Sequence, residues 1–106
     1  MRTAEVLRDG ERIGLLIKES SKRYKFQYDE AWLNNPENPS VSLTLPKTKR
    51  EFVSDHLFPF FFNMLSEGVN LKLQARRYQI DENDYFSLLL QTATTDTIGA
   101  VTLKAI

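Results

Sequence analysis

The sequence predicts an α+β domain. Its sheet is small, mainly antiparallel and barrel-like, with about five strands, and three short helices accompany it. Three observations lead there. Asp9-Gly10 joins two runs with strand-like alternation, and both central positions of a type I′ hairpin turn need positive φ. The elements come in blocks (four strands, three helices, one strand), not in the strand–helix alternation of a parallel sheet. The most apolar run, Ser54 to Gly68 (SDHLFPFFFNMLSEG), carries helix start and stop signals.

Taken in order, Thr3 to Arg8 is the first strand and Glu11 to Lys18 the second, with Ile13, Leu15 and Ile17 on one face. Gly14 inside it marks either a bulge or a close backbone approach. Arg23 to Tyr28 alternates cleanly, placing Tyr24, Phe26 and Tyr28 together. Asp29 caps a short turn through Leu33. Trp32, the single tryptophan, is read either as a lid over the end of the sheet or as an interface anchor. Asn34 to Pro39 is an irregular loop. Val41 to Leu45 is the fourth strand, with Val41, Leu43 and Leu45 inward and Pro46 ending it. Lys47 to Glu51 is a charged loop; its KTKR run is either solvated or in contact with a phosphate or an acidic partner.

The helix from Ser54 has a serine N-cap, an acidic Asp55 suited to the helix dipole, and Val53 and Phe58 at staple spacing. Gly68 is placed to end it in a left-handed conformation. Pro59 removes a donor about one turn in, so the regular helix starts near Phe58 or is kinked there. At about 100° per residue, Leu57, Phe61, Met64 and Leu65 form one stripe with Phe58 beside it, while Phe60 and Phe62 flank Phe61 on either side. That arc is wider than one core wall needs. Phe61 is therefore expected in the core. Pro59, Phe60, Phe62, Asn63, Ser66, Glu67 and Gly68, with Trp32 elsewhere, are the candidate partner-binding residues. Beyond Gly68, Asn70 caps a helix from Leu71 to Tyr78. Asp81 caps another from Glu82 to about Gln91, with Tyr85, Leu88 and Leu89 inward. Ile98 to Lys104 is the last strand.

The 106 residues make one domain, 1–106, with no linker or repeat, and the 14 basic and 14 acidic side chains cancel. Zero net charge argues against direct binding to nucleic acid. There is no cysteine, which fits a cytoplasmic protein. No run reads as a signal peptide or a membrane span. The single histidine, His56, is too little for a zinc site. No Gly-x-Ser-x-Gly elbow or phosphate-cradling glycine loop occurs. No catalytic, cofactor-binding or metal-ligating residues are expected, and the chain is read as not an enzyme.

Four patches in this order resemble the N-terminal subdomain of HipA-type bacterial serine/threonine kinase toxins, and the resemblance spans almost the whole chain. They are VSLTLP (Val41 to Pro46), LFPFFFNMLSEG (Leu57 to Gly68), DYFSLLL (Asp84 to Leu90) and DTIGAVTL (Asp96 to Leu103). Two departures stand at helix ends. Ser66 replaces a frequent proline, and Ala93-Thr94-Thr95 replaces a stretch with a glycine before the aspartate. The catalytic and metal-binding aspartates and the ATP lysine of such kinases have no counterpart here. The resemblance implies a HipS-like antitoxin of a tripartite HipBST-like toxin–antitoxin system. Its implied partners are a HipT-like serine/threonine kinase toxin and a HipB-like DNA-binding protein, with no direct nucleic acid and no membrane contact. The alternatives are a non-neutralising kinase accessory domain, or a transcriptional co-regulator acting through a helix-turn-helix partner.

Overall fold

Asp9 and Gly10 both take positive φ, 51° and 84°, and the turn they make joins β1 (Arg2–Arg8) to β2 (Glu11–Ser20). The computed structural model describes residues 1–65, 68–93 and 101–106. The remaining elements are β3 (Arg23–Tyr28), α1 (Glu30–Asn34), β4 (Glu51–Ser54), α2 (Pro59–Phe62), α3 (Gly68–Tyr78), α4 (Tyr85–Thr92) and β5 (Val101–Ala105). The strands form one antiparallel sheet in the order β4-β3-β2-β1-β5. It is open, with β4 and β5 as edges, and not barrel-like. The last strand returns beside β1, where Leu103 N–H also reaches the Ala93 carbonyl at 2.7 Å.

Gly14 explains how the hairpin departs from simple alternation. The β1–β2 register runs Val6↔Gly14 and then Leu7↔Arg12, so Ile13 is an extra residue bulged out of the pairing. A bulge reverses which face the following residues take. Ile13 and Leu16 are both fully buried while Leu15 and Ile17 are only half-buried, which corrects the expected Ile13–Leu15–Ile17 face. Both readings of Gly14 hold. A Cβ there would lie 2.2 Å from the Gln27 carbonyl oxygen.

The core lies on one face of the sheet. Ala4 and Val6, Leu16, the aromatic row Tyr24, Phe26 and Tyr28, and Val101 and Leu103 meet Phe61 and the inner side of α4. Tyr24, Phe26 and Tyr28 share the buried side as their alternation requires.

The expected strand Val41 to Leu45 is not a strand. Val41 and Leu45 are buried, but Leu43 is 99% exposed. The segment turns tightly, with Leu45 N–H donating to Ser42 O at 3.1 Å. The Tyr28 hydroxyl holds the turn from inside: it accepts from Val41 N–H at 2.9 Å and donates to the Leu45 carbonyl. The alternation in this run records two inward anchors and one outward tip. The fourth strand is Glu51–Ser54, paired with β3 through Phe26↔Phe52 and Lys25↔Val53.

Its location moves Ser54 out of the cap position. Val53 lies half-exposed on β4 and Phe58 is buried, so no staple forms. Phe58 precedes a proline and is extended (ψ 138°), and Pro59 is the first helical residue. The residue before a proline avoids the α region, and proline suits the first turn. The regular helix therefore begins at Pro59. It is short, continuing into i→i+3 bonds from Met64 N–H to Phe61 O and Leu65 N–H to Phe62 O, both 3.1 Å. The stripe is buried as expected: Leu57, Phe58, Phe61, Met64 and Leu65. Gly68 has φ 57° and is the first residue assigned to α3. Asn70 lies inside that helix. α4 is capped by Asp84, not Asp81: the Asp84 carboxylate accepts from Ser87 N–H at 3.2 Å and Ser87 Oγ–H at 2.7 Å. Phe86, Leu88 and Leu89 form the buried face and Tyr85 is half-exposed, which corrects the expected Tyr85–Leu88–Leu89 face. The DTIGA segment of the last patch lies outside the described residues.

Replacing Tyr28 by phenylalanine should cost about 1–3 kcal/mol, because it strands a buried amide and a buried carbonyl. Burial raises the Tyr28 pKa above the ordinary tyrosine value, against smaller lowering by hydrogen bonds from Val41 and Ser40. The folded state thus favours the protonated hydroxyl. Its contribution is complete below about pH 10 and is lost as pH rises through the raised value. Urea melts at pH 7 and above pH 10 should show wild type losing stability more steeply than Tyr28→Phe. At the acid end, burial tends to raise the Asp84 pKa, but the Ser87 side chain and amide, with Lys18 and Arg2, outweigh it and the net shift is downward. Asp84→Ala should cost about 1 kcal/mol at neutral pH. The difference should vanish as pH falls through the lowered carboxylate value, read by melts between about pH 7 and pH 2.

Candidate partner-binding site

With Pro59 fixing the start of α2, its three phenylalanines point in different directions. Phe61 is fully buried, with its ring 5.7 Å from Phe26 and 6.4 Å from Phe58. Phe60 is half-buried, edge-on to Phe61 at 5.2 Å, and packs against the core. Phe62 is 45% exposed and meets Tyr85, the first residue of α4, edge-on at 5.1 Å and 84°. An open cleft of ≈ 290 Å³ lies here, lined by His56, Leu57, Pro59, Phe62, Asn63 and Tyr85. Its wall is mostly carbon, with an imidazole, an amide and a phenol as the polar groups.

Three of the expected residues, Pro59, Phe62 and Asn63, meet in this cleft. Phe60 contributes mainly to the core, and Gly68 opens α3. Ser66 and Glu67 lie outside the described residues. Trp32 is only 4% exposed, and its indole N–H donates to the Pro39 carbonyl at 2.9 Å. This burial and hydrogen bond match the lid reading. The KTKR run is also tied inward: Lys47 Nζ donates to the Asn35 and Asn38 carbonyls at 2.7 and 2.8 Å, and Arg50 Nε to the Tyr28 carbonyl at 3.3 Å. Lys49 sits 5.0 Å from the centre of the Phe52 ring.

The sequence reading missed His56 and Tyr85 as lining residues. Tyr85 sits some twenty residues from α2 and shares helical spacing with Leu88 and Leu89, so the sequence carries no signal of its exposure. His56 precedes the helix on a bend, and there neighbouring side chains can meet. Its Nδ1 lies 2.6 Å from Asp55 Oδ1, both groups largely exposed, a pairing that strict helical geometry excludes. Ser54 Oγ accepts from the His56 backbone N–H at 3.2 Å and does not reach the ring, so these neighbours are not assembled as a nucleophile and base. Among the described residues no group of three histidine, cysteine or acidic side chains could hold a metal, and no helix is long and apolar enough to cross a membrane. The arrangement is suited to receiving an apolar or aromatic side chain, with polar groups available to orient it.

Comparison with known proteins agrees with this architecture over the full chain. A family model described as "HipA N-terminal domain" matches residues 4–104. A solved structure described as "N-terminal domain of HipA toxin" superposes with a TM-score of 0.71 and 29% identity, covering 100% of this chain and 93% of that one. An uncharacterised protein of Haemophilus influenzae is 34% identical over 104 residues, 98% of this chain and 92% of the relative.

The geometry separates the phenylalanines energetically. Phe61→Ala should cost about 3–5 kcal/mol and largely unfold the domain. Phe62→Ala removes a ring about half in water and should cost about 1–1.5 kcal/mol, leaving a cooperative fold. Thermal melting of the two variants beside wild type checks the contrast.

Proposed function

The chain belongs to the HipA N-terminal domain family, and from that premise we propose that it is the antitoxin of a HipBST-like toxin–antitoxin system. In this reading it acts in the cytoplasm, binds a HipA- or HipT-like serine/threonine kinase toxin and inhibits it. A HipB-like DNA-binding protein completes the assembly. The matches are to the N-terminal domain, a non-catalytic part of HipA, so the action assigned to the chain is binding and not phosphotransfer.

The observation that carries the reading is the extent of the match. The family model runs from residue 4 to 104, and the Haemophilus relative is itself little more than this domain, since the chain covers 92% of it. In this reading the domain acts on the kinase by docking to it. The Phe62–Tyr85 cleft supplies a surface of the required kind, a half-exposed aromatic pair beside an open apolar cleft.

The test is co-expression with the HipT-like kinase of the same genome. Growth should be arrested by the kinase alone and restored by this chain, and the two should co-purify. Phe62→Ala should weaken binding by about 2 kcal/mol, roughly thirtyfold, and reduce rescue while the variant stays folded. Co-purification without rescue would replace inhibition by an accessory role. Absence of both would overturn the proposal.

A further inference from the structure

We propose that α3 presents a second docking surface, for an acidic protein groove with an apolar floor. Its buried side is Ala75 with the half-buried Leu71. Stepping about 100° per residue, the opposite side runs Lys72, Arg76, Val69, Leu73, Arg77 in one arc of roughly 140°. The structure exposes all five, with Val69 at 71% and Leu73 at 55%. The two aliphatics thus sit in the middle of the arc with cations on both flanks.

This placement is costly to leave uncovered. Lys72 and Arg76 are one turn apart and repel each other. α3 contains no acidic residue, and among the described residues none of its three cations forms an ion pair. Arg77 instead lies 5.8 Å from the centre of the Tyr78 ring. The chain as a whole is neutral, so the +3 charge of this helix is a local segregation. Charge complementarity then sets the occupant. Carboxylates on both rims would meet Lys72 and Arg76 on one side and Arg77 on the other, with Val69 and Leu73 against an apolar floor. Two central aliphatics distinguish this from a phosphate-reading helix, where backbone contacts are polar and cationic. They are also too few to insert a helix into a bilayer surface.

The inference rests on the proposed kinase partner for its probe, so the experiment separates the two ideas. Binding of wild type, Arg76→Glu/Arg77→Glu, Leu73→Ala and Phe62→Ala to the HipT-like kinase is measured by calorimetry between about 0.01 and 0.15 M salt, where the screening length falls from roughly 30 to 8 Å. Melting temperatures check that the two α3 variants fold as wild type does. The charge-reversal pair should lose about tenfold or more in affinity and flatten the salt dependence, and Leu73→Ala should lose about fivefold at every salt concentration. If wild type binds and is sensitive to Phe62→Ala, yet both α3 variants bind as wild type does, the α3 proposal falls and the functional reading stands. If wild type does not bind the kinase, both fall. Binding of wild type to duplex DNA or to phosphatidylserine vesicles that Arg76→Glu/Arg77→Glu abolishes would overturn the protein groove as the occupant of α3.

Discussion

One buried hydroxyl organises the long connection from α1 to β4, which has little regular structure. Tyr28 ends the central aromatic row of β3, and its Oη takes Val41 N–H on one side and gives its proton to the Leu45 carbonyl on the other. Both partners are buried and far from water, so without the hydroxyl each would be an unsatisfied backbone group. The connection from α1 to β4 closes around this point. Trp32 secures Pro39, Lys47 gathers the Asn35 and Asn38 carbonyls, and Arg50 returns to the Tyr28 carbonyl as β4 begins. Residues that look like surface cations in the sequence thus act as fasteners for a loop with little ladder pairing of its own. β4 then leads through the bend at Asp55 and His56 to Pro59, which sets where α2 starts.

Local rules with a single outcome were legible in the sequence. Asp9-Gly10 specifies one kind of turn, and Tyr24-Phe26-Tyr28 one buried face. The apolar identity of Leu57, Phe61, Met64 and Leu65 survives although the regular helix among the described residues is only Pro59–Phe62. What was not legible depends on long-range competition. Val41, Leu43 and Leu45 alternate as a strand would, but a hydroxyl thirteen residues earlier in the chain outcompetes sheet pairing for Val41 N–H. Glu51 to Ser54 has weak strand character and becomes β4 because β3 leaves an edge open beside Phe26. Asp81 and Asp84 are both plausible caps; the site that Ser87 can complete wins. Within α4 it is Phe86, not Tyr85, that joins Leu88 and Leu89 in the core.

That exchange also decides the candidate site. Phe62 could be recognised as flanking the core stripe, but its companion could not, because Tyr85 shares helical spacing with Leu88 and Leu89 and so reads as core, while in the fold it is half-buried against Phe62. Trp32 shows the opposite failure. An aromatic residue between a strand and a loop rich in prolines is equally compatible with a lid and with an anchor, and only the Pro39 carbonyl, seven residues away, distinguishes them.

Net charge has the same weakness as a predictor when it is summed over the chain. Fourteen charges of each sign give zero, which argues against an extended grip on polyanions but says nothing of a single helix. On β2 and β3 the charges compensate locally, with Glu19 facing Arg23 at 3.0 Å and Lys25 at 3.5 Å. On α3, among the described residues, they do not: Lys72, Arg76 and Arg77 share a helix with no carboxylate, beside two exposed aliphatics. Self-repulsion and exposed carbon both weaken an isolated helix, and α3 buries only a narrow strip in return. Such a helix gains most from a partner that neutralises the flanks and covers the centre at once. The Phe62–Tyr85 cleft has the complementary character, low in charge and aromatic, so the two surfaces would contribute differently to one complex. Aromatic burial at the cleft would set how long the complex lasts, and the charges of α3 would set how fast it forms and how strongly salt opposes it.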